Sequence, residues 1–211
     1  MIYVVQVRHT PFFQTLGLDA KFYDAWAHQI ASGSGDGEVF FMSPLYPYFL
    51  AAIYRLFGRD LFLVRLIQSV VGAASAVLAY SIARQVFDRK AAVIAGFAAA
   101  CYGALIFYDG AILLEPLLVL LNLLVLHLLL RASASGRHRY YLSAGAVLGV
   151  AAIGKATALP FAPAAAPRVW IYARKHRRAT PARALILFLL GPTILICPHT
   201  GRNFVVSTDL V

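Results

Sequence analysis

The chain has 211 residues, of which 61% are hydrophobic and only 13% charged, and its 19 Lys and Arg against 9 Asp and Glu give a formal net charge of +10. A soluble domain is nearer half apolar and a quarter charged, so the composition excludes an ordinary soluble globular protein and implies an integral membrane one. The positive balance would suit nucleic acid, but the placement of the charges, described below, excludes that partner.

In chain order, the opening "MIYVVQVRHTPFF" lacks a basic start, a long apolar core and a small-residue cleavage site, so no signal peptide is expected. Residues 1–8 read as the stub of a first transmembrane helix. "LDAKFYDAWAHQIASG" (18–33) reads as a short amphipathic helix over about 19–31. On a wheel of about 100° per residue, Phe22, Tyr23, Trp26 and Ile30 fall within about 60° of Asp19, whereas Lys21, Asp24 and His28 fall on the far side. Asp19 thus heads an aromatic, apolar stripe, and Asp24 joins a solvated face. "SGSGDGE" (32–38) is a flexible polar break. The run from Pro44 to Phe57 is too short to span and rich in Tyr and Phe, which suits an interfacial helix with its tyrosines in the headgroup zone.

Five apolar runs are then long enough to cross a bilayer, at about 61–83, 90–108, 111–130, 140–158 and 182–199. A sixth, about 159–173, contains Pro160, Pro163 and Pro167 and reads as a weaker, kinked span. The expected architecture is all-α. It has a helix stub (1–8), an outer loop with two short juxtamembrane helices (9–60), a transmembrane bundle of about six helices (61–199) and a tail (200–211). No repeat of 20 to 50 residues is visible. Cys101 and Cys197 lie in apolar runs and read as small hydrophobes.

The connectors 83–90, 131–139 and 168–183 hold twelve of the nineteen Lys and Arg but a single acid, Asp88. The other eight acids, Asp19, Asp24, Asp36, Glu38, Asp60, Asp109, Glu115 and Asp209, lie in the alternate segments or at the helix ends facing them. A span at each apolar run generates this alternation, and the positive-inside rule puts the basic connectors in the cytoplasm. Segment 9–60, the turns at 108–115 and 154–160 and the C-terminal tail then face outward. The basic balance is a topology signal.

Several of these stretches together resemble the type-C glycosyltransferases of the protein-mannosyltransferase and aminoarabinose-transferase superfamily (glycosyltransferase family 39-like). They are "LDAKFYDAWAHQIASG", "SPLYPYFLAAIYRLFG" and "LVRLIQSVVGAASAVLAYSIARQVFDRKAAVIAGFAAA". The features are an outer-face acid with a tyrosine four residues on (Asp19, Tyr23), a "PPLY"-like turn (Ser43 to Tyr46), a span opening on "VRL" (Val64 to Leu66) and a late "RN" (Arg202, Asn203). "LIFYDGAILLEPLL" and "RNFVVSTDLV" look closest to a bacterial subgroup whose members often carry C-terminal tetratricopeptide repeats. The chain departs from that pattern in three ways. Ala20 stands where a second acid is common, Phe41 and Met42 stand where some members have Glu-Lys, and the chain starts where a first span should be ending and stops before a full set of spans. The resemblance therefore implies the N-terminal part of such an enzyme, expected to be inactive by itself.

Enzymes of this kind move a sugar from a polyprenyl phosphate to an acceptor with inversion. That chemistry needs a base, a cationic site for the leaving phosphate and an apolar groove for the lipid. Asp19 is the candidate base, held at the membrane surface by its stripe and partly desolvated; Asp is equally a favoured N-cap. Glu115 is the second candidate, an acid at the mouth of a span where relatives often carry one; an acid before Pro116 is also an ordinary helix start. Lys155, outside against the charge trend, is the candidate phosphate ligand, although a lone Lys at a helix end commonly snorkels to headgroups. Tyr23, Arg65, Asp109 and Arg202 complete the substrate-binding set, with Asp109 also readable as a turn residue in "YDG". His28, His127, His138, His176 and His199 show no metal-ligand spacing and His9 stands alone, so no zinc site is expected. No cofactor is expected either, and a divalent metal is left open.

The implied partners are a polyprenyl-phosphate-linked sugar, a protein or glycolipid acceptor and membrane lipids, in a multi-pass protein of a bacterial inner membrane. A transporter, a membrane scaffold or an inactive remnant of the enzyme are the rival readings. Against a transporter, few ionisable groups lie at mid-membrane, His127 near a cytoplasmic end being a weak exception.

Overall fold

The computed structural model describes residues 2–8, 13, 15–34, 42–175 and 180–208. Among these, every regular element is helical: α1 (Ile2–Val7), α2 (Leu18–Ser32), α3 (Leu45–Phe57), α4 (Leu61–Val86), α5 (Arg89–Cys101), α6 (Gly103–Gly110), α7 (Glu115–Ser135), α8 (His138–Gly154), α9 (Phe161–Lys175) and α10 (Pro181–Thr208), with a 3₁₀ turn at Ala156–Ala158. Part of the polar break, with Asp36 and Glu38, lies outside the described residues, as do Phe41, His9, His176 and Asp209.

Three helices, α4, α7 and the 181–205 part of α10, are long and apolar enough to cross a membrane. The run at 90–108 is broken: α5 and α6 are bent by 46° at Tyr102 and make a fourth span if taken together. The 17 residues of α8 rise only about 26 Å at about 1.5 Å each, under the ~30 Å hydrocarbon core. The fold is an all-α membrane helix bundle, but with fewer full-length spans than the apolar runs suggested. The expected tail from residue 200 is helical, because α10 continues to Thr208.

The two short helices expected before the first long span are present, but α2 is rotated from its predicted orientation. Its buried residues are Ala20, Tyr23, Asp24 and Ala27, while Asp19 and Phe22 are exposed. Ala20 and Ala27 are small enough to let α3 approach, and Asp24 is drawn inward by polar partners. Tyr54 Oη donates to Asp24 Oδ1 at 2.6 Å, and Arg59 grips both carboxylate oxygens through Nε (2.9 Å to Oδ1) and Nη2 (2.7 Å to Oδ2). The solvated-face reading of Asp24 is therefore wrong. A wheel ranks side chains by polarity and cannot see a partner 35 residues away. Burial pushes the Asp24 carboxyl up, but the hydrogen bonds from Arg59 and Tyr54 outweigh it and hold it below the usual carboxylate range. Arg55 adds a second clamp, its Nη2 donating at 2.8 Å to the Ile30 carbonyl at the end of α2.

Two polar residues on α4 fix the break between α6 and α7. Residues 111–114 are not helical; the Ala111 carbonyl accepts from Leu113 N and the Leu114 carbonyl from Leu117 and Leu118 N of α7, which leaves the Leu113 carbonyl to find a partner on another element. Gln68, 2% exposed, donates through Nε2 to the carbonyls of Ala111 (2.9 Å) and Leu113 (3.2 Å), and its Oε1 accepts from Tyr46 Oη at 3.1 Å. Arg65, 5% exposed, donates from Nε to Gly110 O (2.8 Å) and from Nη2 to Phe13 O (2.9 Å), and its guanidinium lies 4.0 Å from the Phe13 ring centroid. Further along the bundle, His127 Nδ1 of α7 meets Ser81 Oγ (3.3 Å) and Gln85 Nε2 (3.1 Å) of α4, so this histidine joins two helices.

Helices α8 and α10 run parallel with their backbones in contact. A Cβ added at Gly145 would meet the Phe188 carbonyl, one at Gly191 would meet the Gly145–Ala146 backbone, and one at Gly149 would come within 2.8 Å of the Pro192 Cα. Gly145 and Gly149 form a G-x-x-x-G pair, the small-residue spacing that allows close helix approach in a membrane. Gly191→Ala is expected to lower stability by about 1–3 kcal/mol. Gly201→Ala, in the same helix with open space around it, is expected to be neutral or stabilising by up to ~1 kcal/mol. Thermal melts of both variants in one detergent check this; equal melting temperatures would remove the seam from the account.

The Asp24 clamp gives a second expectation. Asp24→Ala should speed amide exchange in α2 and α3 by an amount worth about 1–3 kcal/mol, Arg59 being half exposed and its share screened, while the α8–α10 seam keeps its protection. Because the folded carboxyl is held below its ordinary value, the stabilisation is present above that value and is lost as pH falls through the lower folded one. Hydrogen exchange from pH 7 down to pH 3 reads both effects; unchanged protection in the variant would reject the clamp.

Candidate active site

A cavity of about 640 Å³ opens where α2, the segment before α3, the α6–α7 turn, the end of α8 and α10 meet. Asp19, Tyr23, Ser43, Glu115, Lys155 and His199 all line it, drawn from five separate parts of the chain. Four of the residues singled out in the sequence, Asp19, Tyr23, Glu115 and Lys155, are thus brought together.

Each wall follows from local structure. Gly17 is the N-cap of α2 and makes no side-chain cap bond, so Asp19 is not the cap but a first-turn acid, where the helix dipole favours a carboxylate. It is exposed at the cavity rather than sunk against the bundle. Tyr23, one turn on, packs edge-on against Tyr46 with ring centroids 5.1 Å apart. Burial, and then the carboxylates of Glu115 and Asp19, push its phenol above the ordinary range, so it stays a protonated donor. Glu115 is the first residue of α7, with Pro116 behind it, and its place is set by the tethered 111–114 turn.

Lys155 stands where α8 stops. Its backbone is extended (φ −156°, ψ 115°), which ends the helix and turns the chain toward the 3₁₀ turn. Ser43 Oγ donates to the Ile153 carbonyl at 2.8 Å, tying the chain before α3 to this end of α8. Lys155 Nζ lies 3.9 Å from Glu115 Oε1, with the two side chains 55% and 39% exposed. Among the described lining residues, Lys155 is the only lysine or arginine.

The other residues lie elsewhere. Arg65 is held by the Gly110 and Phe13 carbonyls through Nε and Nη2, its buried Nη1 making no hydrogen bond among the described residues, and it does not line the cavity. Arg202 lies two residues beyond Thr200 on α10, also outside the lining. Asp109 is in helix α6 rather than a turn, because the helix runs on through Gly110, which is packed against the Tyr3 ring. Its carboxylate occupies the space that a Cβ at Gly72 would need. It borders a small cavity of about 30 Å³ shared with Glu115 and another of about 540 Å³ toward α1. His199 and Thr200 line the main cavity but were not singled out for it in the sequence. Their signal was a polar pair at the end of an apolar run, just before Arg202-Asn203.

Chemically, the cavity offers two carboxylates as proton acceptors, a phenol and a histidine as hydrogen-bond partners, and one lysine for an anion. No curated protein and no solved structure matches the chain. Residues 42–200, about three quarters of it, match the family model described as dolichyl-phosphate-mannose-protein mannosyltransferase, and they include Glu115, Lys155 and His199. The chain belongs to that family of membrane glycosyltransferases.

Proposed function

We propose that the protein transfers a sugar from a polyprenyl-phosphate donor to a hydroxyl of a protein or glycolipid acceptor, with inversion, at the outer face of a bacterial inner membrane that it crosses several times. The observation that carries this reading is the convergence of Asp19, Tyr23, Glu115 and Lys155 on one cavity at the end of the bundle. Asp19 takes the proton from the acceptor hydroxyl as its oxygen attacks the anomeric carbon. The bond from that carbon to the phosphate oxygen breaks, and Lys155 holds the phosphate that leaves. A single displacement inverts the anomeric carbon. Tyr23 donates a hydrogen bond to the sugar or the phosphate.

With the protein expressed from its native gene, Asp19→Asn should leave folding and donor binding intact and lower transfer of radiolabelled sugar about 10²–10⁴-fold. Asn keeps the shape and the helix and removes only the charge. Near-parental transfer would reject Asp19 as the base. The orientation has its own test, in a background with Cys101 and Cys197 replaced by Ala. A cysteine at Ser34 should react with an impermeant thiol reagent in intact cells, and one at Ser135 should not. The reverse labelling pattern would overturn the topology.

A further inference from the structure

The cavity contains its own competitor for the phosphate. Lys155 faces Glu115 across a 3.9 Å gap, longer than a hydrogen bond, with both side chains substantially exposed. Asp19 lines the same cavity but forms no ion pair among the described residues. The two carboxylates are therefore not equivalent: one is paired with the only lysine of the lining and the other is not. A pair this long and this wet is weak, which is what an exchangeable contact requires.

We infer that Glu115 is the resting counter-ion of Lys155, displaced when the phosphate of a prenyl-phosphate ligand takes the lysine, so that binding of the lipid phosphate releases the Glu115 carboxylate into the cavity. This inference rests on the donor reading above and deepens it. Glu115 then acts through Lys155 as a positioning residue. It keeps the ammonium over the cavity in the empty enzyme and opposes phosphate binding by the strength of the pair it loses. It also sets an order of events. Glu115 becomes available for a hydrogen bond to the acceptor only after the phosphate has arrived, so the lipid donor binds first. The same exchange acts on the product. A phosphodiester carries one negative charge and the phosphomonoester left after transfer carries up to two, so the spent lipid phosphate competes with Glu115 more strongly than the donor does.

The probe is farnesyl phosphate, a short prenyl monophosphate, titrated into the protein in nanodiscs by calorimetry. The protein should bind it, and Lys155→Gln should weaken binding about 10–100-fold, as for loss of a hydrogen bond to a charged group. Glu115→Gln should bind it about two- to five-fold more tightly, since an exposed pair of this kind is worth that much. Once Lys155→Gln is present, adding Glu115→Gln should change nothing, and the gap between Glu115→Gln and the parent should close as salt is raised from 20 mM to 0.5 M. Glu115→Asp, which keeps the charge but withdraws it, should tighten binding less than Gln and guards against a misfolded Gln variant. If the parent binds and Lys155→Gln weakens it while Glu115→Gln does not tighten it, the exchange is wrong and the phosphate reading stands. If the parent does not bind at all, both fall.

Discussion

Backbone that leaves a helix while buried in a packed bundle must find hydrogen-bond partners in the protein, because water does not reach it. The 111–114 turn between α6 and α7 is the place where this chain meets that constraint, and Gln68 and Arg65 of α4 meet it. Gln68 saturates itself on two carbonyls of the turn and on the hydroxyl of Tyr46. Arg65 takes the carbonyl just before the turn and reaches back to Phe13. These two side chains join α4 to the α6–α7 break, to α3 through Tyr46, and to the segment before α2. The position of Glu115 at the start of α7 is a consequence, as is that of Tyr23, which rests on the same Tyr46. Removing Gln68 would take the side-chain partner from the Leu113 carbonyl and the Tyr46 phenol together, while the Ala111 carbonyl kept Leu113 N, so its cost would exceed that of one hydrogen bond.

What the sequence showed and what it hid divide along the range of the interactions. Long apolar runs, basic connectors and short aromatic helices are local or one-dimensional patterns, and they mark the helices of the bundle. The rotation of α2 depends on Asp24 finding Arg59 and Tyr54, which sit 35 and 30 residues away. No property of the 18–33 stretch announces that a carboxylate there will be buried. Arg65 misled for a related reason. A cation just inside a span is a fair phosphate candidate, but its partners are carbonyls of Phe13 and Gly110, and carbonyls carry no mark in a sequence. The G-x-x-x-G at Gly145 and Gly149 is a local pattern, but it says nothing of its other half, Gly191, on a helix more than forty residues further on. The break at Tyr102 shows no Pro; Gly103 beside it is the one local hint.

The cations illustrate how the fold selects function from a set of equivalent residues. Arg55 closes the end of α2, Arg59 pairs with Asp24, and Arg65 holds the α6–α7 turn. Each is consumed by a structural contact with fixed geometry. Lys155 is different in kind: its helix has just ended, its side chain is more than half exposed, and its contact with Glu115 is too long for a hydrogen bond. Arginine's planar fork suits permanent bidentate contacts, whereas a lysine is a mobile point charge that can change partners. Among these four, the three arginines hold the fold and the lysine is left exposed at the cavity.

The width of the cavity is set some distance from its chemistry. Lys155 closes α8, and His199 and Thr200 stand on α10 beside it, so the gap between two walls of the site is the gap between these two helices. That gap is fixed at Gly145, Gly149 and Gly191, where backbone touches backbone, about one and a half to three turns below. A methyl group at the seam would have to push the helices apart, and helices that diverge from a forced point carry the displacement to their ends. Lys155 would then move relative to His199 while keeping its own local structure. The seam glycines thus belong to the site as its spacing element, although none of the three lines it.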